Sequence, residues 1–499
     1  MKILSAAQLR EADIYTIKNK PISSLALMER AGWECTQWII SRKNFSLQYT
    51  IICGTGNNGG DGLVIARLLA EKKISVEVII IQTNSPATND FNHNLEKLKK
   101  IPVSIVYYKE GGKINIPEKS VIIDAIFGTG LTRPITGSIA NIIEEINKSG
   151  NVIISIDLPS GLFADKKSEG SIIKATQTIT IQSPKLAFLF PENEIYTGEF
   201  SVINIDLDKK FIDDIKTTKL FLTRDEIRNY LKPRTKFSHK GNYGHSLLVS
   251  GSKGKTGAAV LAARACLRSG TGLLTVHIPA GFYDILQTAV PEAMVDTDVD
   301  ENIITGLNST EKYSAIGIGP GIGKSEITIK MLFGVIENFR APMVIDADAL
   351  NIFSDYPEKL KLIPPNSILT PHPGEFERLA GKSKNDFERH DRQLKFSADY
   401  NVIVVLKGAY SCITTPDGRA IFNSTGNPGM AKGGSGDALT GIILAMLSQK
   451  YSSEEAAILA VYIHGLAGDY ASKKKGNYSM ITSDLIECLP KAFKDILRN

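Results

Sequence analysis

A short apolar run, a glycine-rich turn and an amphipathic helical pattern follow one another in that order twice along the chain. The first passage is residues 49–53, then 54–62, then a helix over 63–71 with Val64, Ala66, Leu68 and Leu69 on one face; the second is 246–250, 251–257 and an alanine-rich helix over 258–269. This is the order in which a doubly wound parallel sheet presents its first ligand loop. Two such starts in 499 residues predict two α/β domains. The first loop, Gly54-Thr55-Gly56-Asn57-Asn58-Gly59-Gly60-Asp61-Gly62, lacks the GxGxxG spacing of a dinucleotide fingerprint. It also carries side-chain oxygens that a bare phosphate cradle does not require.

Helical spacing over 6–17 and 24–41 precedes the first strand, and strands over 75–81, 121–127, 152–157, 178–181 and 202–205 follow it, with a helix near 92–100. These runs place Asn58, Asp124, Asp157 and Ser160 at carboxyl ends, the rim on which such sheets bind ligands. Asn58, Asp124 and Ser160 offer hard oxygens suited to a monovalent or alkaline-earth cation. Helix capping is the plainer role for Asp124 and Asp157. The charged segment 206–214 interrupts the apolar pattern, so the domains are expected at 1–215 and 216–499.

In the second half, strands over 273–278, 315–318, 343–345 and 402–406 lead into Gly319-Pro320-Gly321-Ile322-Gly323, Asp346-Ala347-Asp348, Lys407-Gly408 and, after a further turn, Pro371-His372-Pro373. Glycines, acids, a histidine and a lysine on one rim predict a large polar cleft. His372, held between two prolines, suits positioning a ligand better than acid–base chemistry. Gly254-Lys255-Thr256 is not a Walker A end, because Val249 stands where that loop needs glycine. The stretch Gly433-Gly434-Ser435-Gly436-Asp437, opening a helix over 438–447, combines small residues, a helix dipole and a carboxylate. A carboxylate beside a phosphate site repels its ligand unless it takes a proton from the attacking hydroxyl, and Asp437 is the candidate for that task; a solvated cap is the alternative.

A net charge of +5 without any long basic tract argues against nucleic acid. No apolar run approaches the ~20 residues of a membrane span, and charge enters the N-terminus before a signal-like core could form. Five cysteines, scattered and never in metal-ligand pairs, fit a reducing compartment, so the chain is expected to be cytoplasmic.

Three segments, residues 53–62, Asp124-Ala125-Ile126-Phe127-Gly128-Thr129-Gly130-Leu131-Thr132-Arg133-Pro134 and Asp157-Leu158-Pro159-Ser160-Gly161, resemble the signatures of the NAD(P)H-hydrate epimerases. The resemblance implies a Rossmann-like doubly wound domain binding the hydrated dinucleotide (NADHX or NADPHX) at Asn57, Asn58, Gly59, Gly60, Asp61, Gly128, Thr129, Gly130, Leu131, Thr132, Arg133, Pro134 and Asp157. It implies K+ at Asn58, Asp124 and Ser160, and makes Asp157 the proton-transfer candidate, with Lys185 second. The chain reads Asp165-Lys166-Lys167 where that family tends to Asp-Thr-Gly.

Lys240-Gly241, Tyr243-Gly244, Gly319-Pro320-Gly321, Asp346-Ala347-Asp348-Ala349-Leu350, Pro371-His372-Pro373-Gly374-Glu375 and the block 426–441 resemble the ADP- or ATP-dependent NAD(P)H-hydrate dehydratases. A ribokinase-like α/β domain follows from this, with Ala258, Gly321, His372 and Asp437 at the hydrate and Lys407, Gly408, Ala409, Tyr410, Ser411 and Gly436 at ADP or ATP. Mg2+ is expected with the nucleotide, and a homo-oligomer for the assembly. Lys432 stands where many relatives have threonine. Two rivals remain: a ribokinase-like small-molecule kinase that keeps its phosphorylated product, and a first domain that only binds.

Overall fold

The structure, a computed structural model, describes residues 1–42, 48–82, 86–108 and 114–498. The chain divides into two compact units, Lys2–Thr217 and Thr218–Asn499, the second also taking Met1. Among the described residues no helix is long and apolar enough to cross a membrane.

The first unit is built on β1 (Gln48–Cys53), β2 (Ser75–Ile81), β3 (Ser104–Tyr108), β4 (Val121–Ala125), β5 (Val152–Ile156), β6 (Gln177–Ile181) and β7 (Glu199–Ile203). Their order in space is β3-β2-β1-β4-β5-β6-β7, and every neighbouring pair is parallel. The winding therefore reverses between β1 and β4, where diverging connections leave a crevice beyond the carboxyl ends. Alternation along the strands fills two cores. Ile51, Ile123 and Ile154 pack with Leu27, Ala31, Leu63 and Leu69 on one face; Ile52, Ile122 and Ile153 pack with Ile142, Ile143 and Ile146 on the other.

The helix after β1 begins at Asn57, six residues before the apolar pattern starts, so Asn57 to Gly62 form its first turns rather than a loop. Paired glycines are poor helix formers, but packing demands them here. A Cβ on Gly59 would stand 1.8 Å from the Gly54 carbonyl oxygen, one on Gly60 would stand 2.6 Å from Met28 Sδ, and one on Gly62 would stand 2.7 Å from Ala125 Cβ. Close approach to strand and neighbouring helix outweighs propensity, and it delivers Asn58 and Asp61 to the crevice on a rigid element.

The second unit carries β8 (Lys219–Phe221), β9 (His245–Val249), β10 (Leu273–Ile278), β11 (Met294–Thr297), β12 (Ala315–Ile318), β13 (Val344–Ile345), β14 (Ile368–Leu369), β15 (Ile403–Leu406), β16 (Cys412–Thr414) and β17 (Ala420–Phe422). The order is β11-β10-β9-β12-β13-β14-β15-β16-β17-β8, with β16 antiparallel to both neighbours. Winding reverses between β9 and β12. The helix Ser435–Ser448 is buried from Ala438 onward and lies so close to the helix Thr256–Arg268 that a Cβ on Gly441 would stand 2.1 Å from the Ala262 carbonyl oxygen. That contact fixes the direction in which the helix presents its N-terminus.

Gly59→Ala should destabilise the first unit by roughly 1–3 kcal/mol, the usual cost of overpacking. Gly56→Ala, with nothing within 4 Å of its Cβ position, should cost less. Both tryptophans, Trp33 and Trp38, lie on the helix Ser24–Ser41, so urea unfolding followed by tryptophan fluorescence reports this unit alone.

Candidate functional site

At the crevice of the first unit, β4 ends in Asp124, whose carboxylate is fully buried. Its Oδ2 accepts from Ser155 Oγ at 2.7 Å and Ser160 N at 2.9 Å; its Oδ1 accepts from Ser160 Oγ at 2.5 Å and Ile126 N at 3.3 Å. These four neutral donors offset only part of the burial that raises its pKa. No lysine or arginine among the described residues pairs with it. Ser160 Oγ in turn accepts from Phe127 N at 2.9 Å, tying the loop after β5 to the loop after β4. Asn58 closes the group: a Cβ on Gly128 would stand 3.2 Å from its Cγ, and its buried amide nitrogen has no hydrogen-bond partner. Asn58, Asp124 and Ser160 thus come from three strand ends around the same crevice. From Gly128 the loop turns at Leu131, which donates to the Gly128 carbonyl at 3.2 Å, and exposes Thr132, Arg133 and Pro134.

Asp157, just past β5, adopts a left-handed backbone with φ of 64°. Such strain in a residue other than glycine costs of order 1–3 kcal/mol and collects at functional positions. Its N–H donates to the Ile179 carbonyl at 2.7 Å, and its carboxylate meets Lys185 Nζ at 2.8 Å. Lys185 is fully buried and also donates to Thr180 Oγ1 at 2.9 Å, the Ile181 carbonyl at 3.0 Å and the Ser183 carbonyl at 3.1 Å. Two further carboxyls share this field. Asp61 is raised well above its ordinary pKa by burial and by Asp157, Asp13 and Asp90; Asp13 is pushed up to about 6 by burial and Asp157, with Lys185 opposing. Asp13 carries no motif, lying in an ordinary amphipathic helix, Ala6–Asn19, and the sequence gives no signal for it.

In the second unit the buried Asp346 follows β13 and binds Lys407 Nζ at 2.8 Å through Oδ1 and Thr440 Oγ1 at 2.8 Å through Oδ2. Burial alone would lower the Lys407 pKa, but Asp346 and Glu375, the latter at 3.8 Å, raise it. Asp437, in the first turn of the helix Ser435–Ser448, is pushed up to about 6 by burial, then by Asp346 and Asp348, with Lys407 opposing. The residue before that helix, Gly434, has φ of 89° and no side chain caps the N-terminus. A helix N-terminus left without a side-chain cap favours an anion. A Cβ on Gly436 would stand 3.3 Å from Lys407 Nζ, so lysine, aspartate and helix terminus converge.

Gly321, with φ of 70°, lies against the first turn of the helix Thr256–Arg268: its Cβ position is 3.4 Å from Ala258 Cβ. Lys255, the residue that mimics a Walker lysine, instead pairs with Asp348 at 2.9 Å. His372 caps the helix Pro373–Ala380, its Nδ1 accepting from Gly374 N at 3.1 Å and Glu375 N at 3.2 Å, which fixes its tautomer and leaves its half-exposed edge outward. Lys407 N is bonded to the Pro371 carbonyl at 2.9 Å, and the next residues form a turn in which Ser411 Oγ accepts from Gly408 N at 3.2 Å and Tyr410 has φ of 51°. Lys432 is no idle substitution: its Nζ donates to the Tyr478 and Met480 carbonyls at 2.7 and 2.6 Å, stapling the loop before Gly433 to a distant segment.

Comparison with known proteins follows the same division. Residues 246–491 match the family described as NAD(P)H-hydrate dehydratase, and residues 24–187 match the family of the YjeF-related protein N-terminus. The bifunctional NAD(P)H-hydrate repair enzyme Nnr of Moorella thermoacetica is 34% identical over 99% of this chain and 97% of its own. That of Escherichia coli is 35% identical over 93% and 88%. The chain belongs to the bifunctional NAD(P)H-hydrate repair enzymes. Among solved structures, a ribokinase-like superfamily protein from Enterococcus faecalis superposes with a TM-score of 0.51 at 30% identity, covering 57% of this chain and 99% of its own. An ADP/ATP-dependent NAD(P)H-hydrate dehydratase from Bacillus subtilis, crystallised with ATP and Mg2+, gives 0.49 at 33% identity over 56% and 98%.

For this repair enzyme, Lys185→Met should leave the largely covered Asp157 carboxylate without its cation. Breaking a buried pair costs about 3–5 kcal/mol. Tryptophan-monitored urea unfolding should show that loss, and Asp157→Asn together with Lys185→Met should recover part of it.

Proposed function

We propose that the second unit phosphorylates the hydroxyl of the hydrated nicotinamide with Asp437 as base, and that the first unit interconverts the R and S hydrates at Asp157, so that the whole pool returns to NADH or NADPH. The observation that carries the first half is the convergence of Asp437, Lys407 and the uncapped terminus of the helix Ser435–Ser448. Hydroxide is a poor leaving group and phosphate a good one. Asp437 takes the proton as the hydroxyl oxygen attacks the terminal phosphorus of ADP or ATP and the bond to the bridging oxygen breaks. The N–H groups of the first turn hold the phosphoryl oxygens where charge gathers. The ring nitrogen's lone pair then expels phosphate, and a proton leaves the neighbouring ring carbon to restore the dihydronicotinamide.

The turn Lys407, Gly408, Ala409, Tyr410 and Ser411, with Gly436, is assigned to the nucleotide, and Ala258, Gly321 and His372 to the hydrate. Among the described residues no group of three His, Cys, Asp or Glu side chains is arranged to cage a metal, which suits a Mg2+ carried chiefly by the phosphates. In the first unit, K+ fits the donor set Asn58, Asp124 and Ser160: hard oxygens and a buried carboxylate with no cation of its own. When bound it supplies charge balance to Asp124. Asn57, Gly59, Gly60, Asp61 and the loop from Gly128 to Pro134 are assigned to the hydrate around it.

A kinase that keeps its product is separated by product analysis, since repair releases inorganic phosphate and reduced coenzyme. Asp437→Asn should lower nucleotide-dependent recovery of NADH absorbance at least ~100-fold, within the range that general-base groups contribute, and leave epimer exchange intact. Because Asp437 works ionised, recovery in the unmutated enzyme should fall as pH drops through about 6. Asp346→Asn, which removes a charge that raises Asp437, should move that limb to lower pH. Epimer exchange should weaken when K+ is replaced by tetramethylammonium, while dehydration of pure S hydrate should not.

A further inference from the structure

The Asp437 carboxylate and the amides beside it can serve a phosphoryl group only if the short stretch that carries them keeps one shape. That stretch has little means of keeping it unaided. Gly433, Gly434 and Gly436 give it the freest backbone available, Gly434 sits at φ of 89°, and no side chain caps the helix Ser435–Ser448 that follows.

Its shape is imposed from one face of the largely buried helix Ser453–Lys475. Thr425 Oγ1 donates to the Tyr462 carbonyl at 2.9 Å, and Asp469 accepts from Gly426 N at 3.1 Å and Asn427 Nδ2 at 3.0 Å. Gly465 and Gly468 let the loop lie directly on the helix: a Cβ on the first would stand 2.7 Å from the Thr425 carbonyl carbon, and one on the second 2.2 Å from Met430 Sδ. His464, four residues before Gly468, shares that face. Its ring is buried, with Nε2 3.0 Å from the Ser435 carbonyl oxygen and 3.3 Å from Ser435 Oγ. A carbonyl only accepts, so Nε2 carries a proton and donates it.

We propose that His464 is a positioning residue for dehydration: by holding the Ser435 carbonyl it fixes the first turn of the helix Ser435–Ser448, and with it the placement of the Asp437 carboxylate and the neighbouring amides. The inference rests on the assignment of Asp437 as base made above. Asp437 lies two residues beyond Ser435 in the same turn, so a shift at the carbonyl carries directly to the carboxylate, and a misplacement of about 1 Å costs about 100-fold in rate. Burial pushes the His464 pKa down to about 4, opposed by the Ser435 bond and aided by the Lys407 charge, so the donor is the neutral ring. A neutral donor anchors the turn without the second cation that would make Asp437 a weaker base.

The test uses the full chain with the pure S hydrate of NADH and Mg2+ with ADP or ATP, following recovery of NADH absorbance, with nucleotide affinity by calorimetry. His464→Met keeps the reach of the side chain and removes the donor, whereas His464→Gln returns an N–H at the position of Nε2. His464→Met should lower kcat about 10- to 100-fold with KM for the nucleotide changed less than threefold, and His464→Gln should restore kcat to within fivefold of normal. In an Asp437→Asn background His464→Met should cost at least threefold less than in the unmutated chain, because residues that act as a unit are not additive. Full additivity overturns the proposal, as do a kcat within threefold of normal in His464→Met, a His464→Gln as slow as His464→Met, and loss of nucleotide affinity in both variants, which marks a structural role. If Asp437→Asn dehydrates normally, the reading of Asp437 fails and the role of His464 with it. If Asp437→Asn is inactive while His464→Met is not impaired, only the role of His464 falls.

Discussion

A carboxylate buried at a strand's carboxyl end, at the point where winding reverses or one strand from it, organises each unit. The crevice there is forced by topology, since connections on either side leave in opposite directions. Whatever polar group the strand delivers into it loses water and must be repaid in kind. Asp124 is answered by four neutral donors, three of them from Ser155 and Ser160, which ties the loop after β5 to β4. Asp346 is answered by Lys407 and Thr440, which ties β15 and the helix Ser435–Ser448 to β13. The two solutions have different consequences. Neutral donors leave the Asp124 carboxyl without a counter-charge, whereas Lys407 gives Asp346 one.

The carboxylates to which proton transfer is assigned above, as a proposal, sit one step away from these anchors. Asp157 pairs with a lysine already engaged by three other oxygens, and its backbone is left-handed with φ of 64°. Asp437 has only a share in Lys407, because Asp346 binds that lysine more closely, and burial near Asp346 and Asp348 leaves it with a raised pKa. A base must be strong enough to accept a proton and weak enough to be ionised near neutrality, and a value near 6 meets both demands. The same residue types thus serve as anchor or reagent according to how much cation each receives.

Much of this was legible in the residues. The long buried strands β1, β2 and β10 and the helix Ser24–Ser41 follow their hydrophobic period, and the glycine and carboxylate clusters at strand ends mark the crevices. β14 spans two residues and β8, β16 and β17 three, too short for alternation to speak, and β3 has an exposed pattern. The start of the helix Asn57–Glu71 was hidden because its glycines read as a loop locally and are required only by what packs on them. Asp13 was hidden for another reason: an acid on a helix is ordinary in the sequence, and only the fold covers part of it.

Joining the two activities has a kinetic logic that needs no contact between the units. Dehydration ends with release of phosphate and is driven in one direction by nucleotide hydrolysis, but a chiral cleft can orient one epimer for attack by its hydroxyl and not the other. Left alone, such an enzyme would strand half of a mixed pool. Epimerisation is close to balanced, so it moves material only when one side is drained. Placing a balanced step upstream of an irreversible one converts stereospecificity from a limit on yield into a limit on rate.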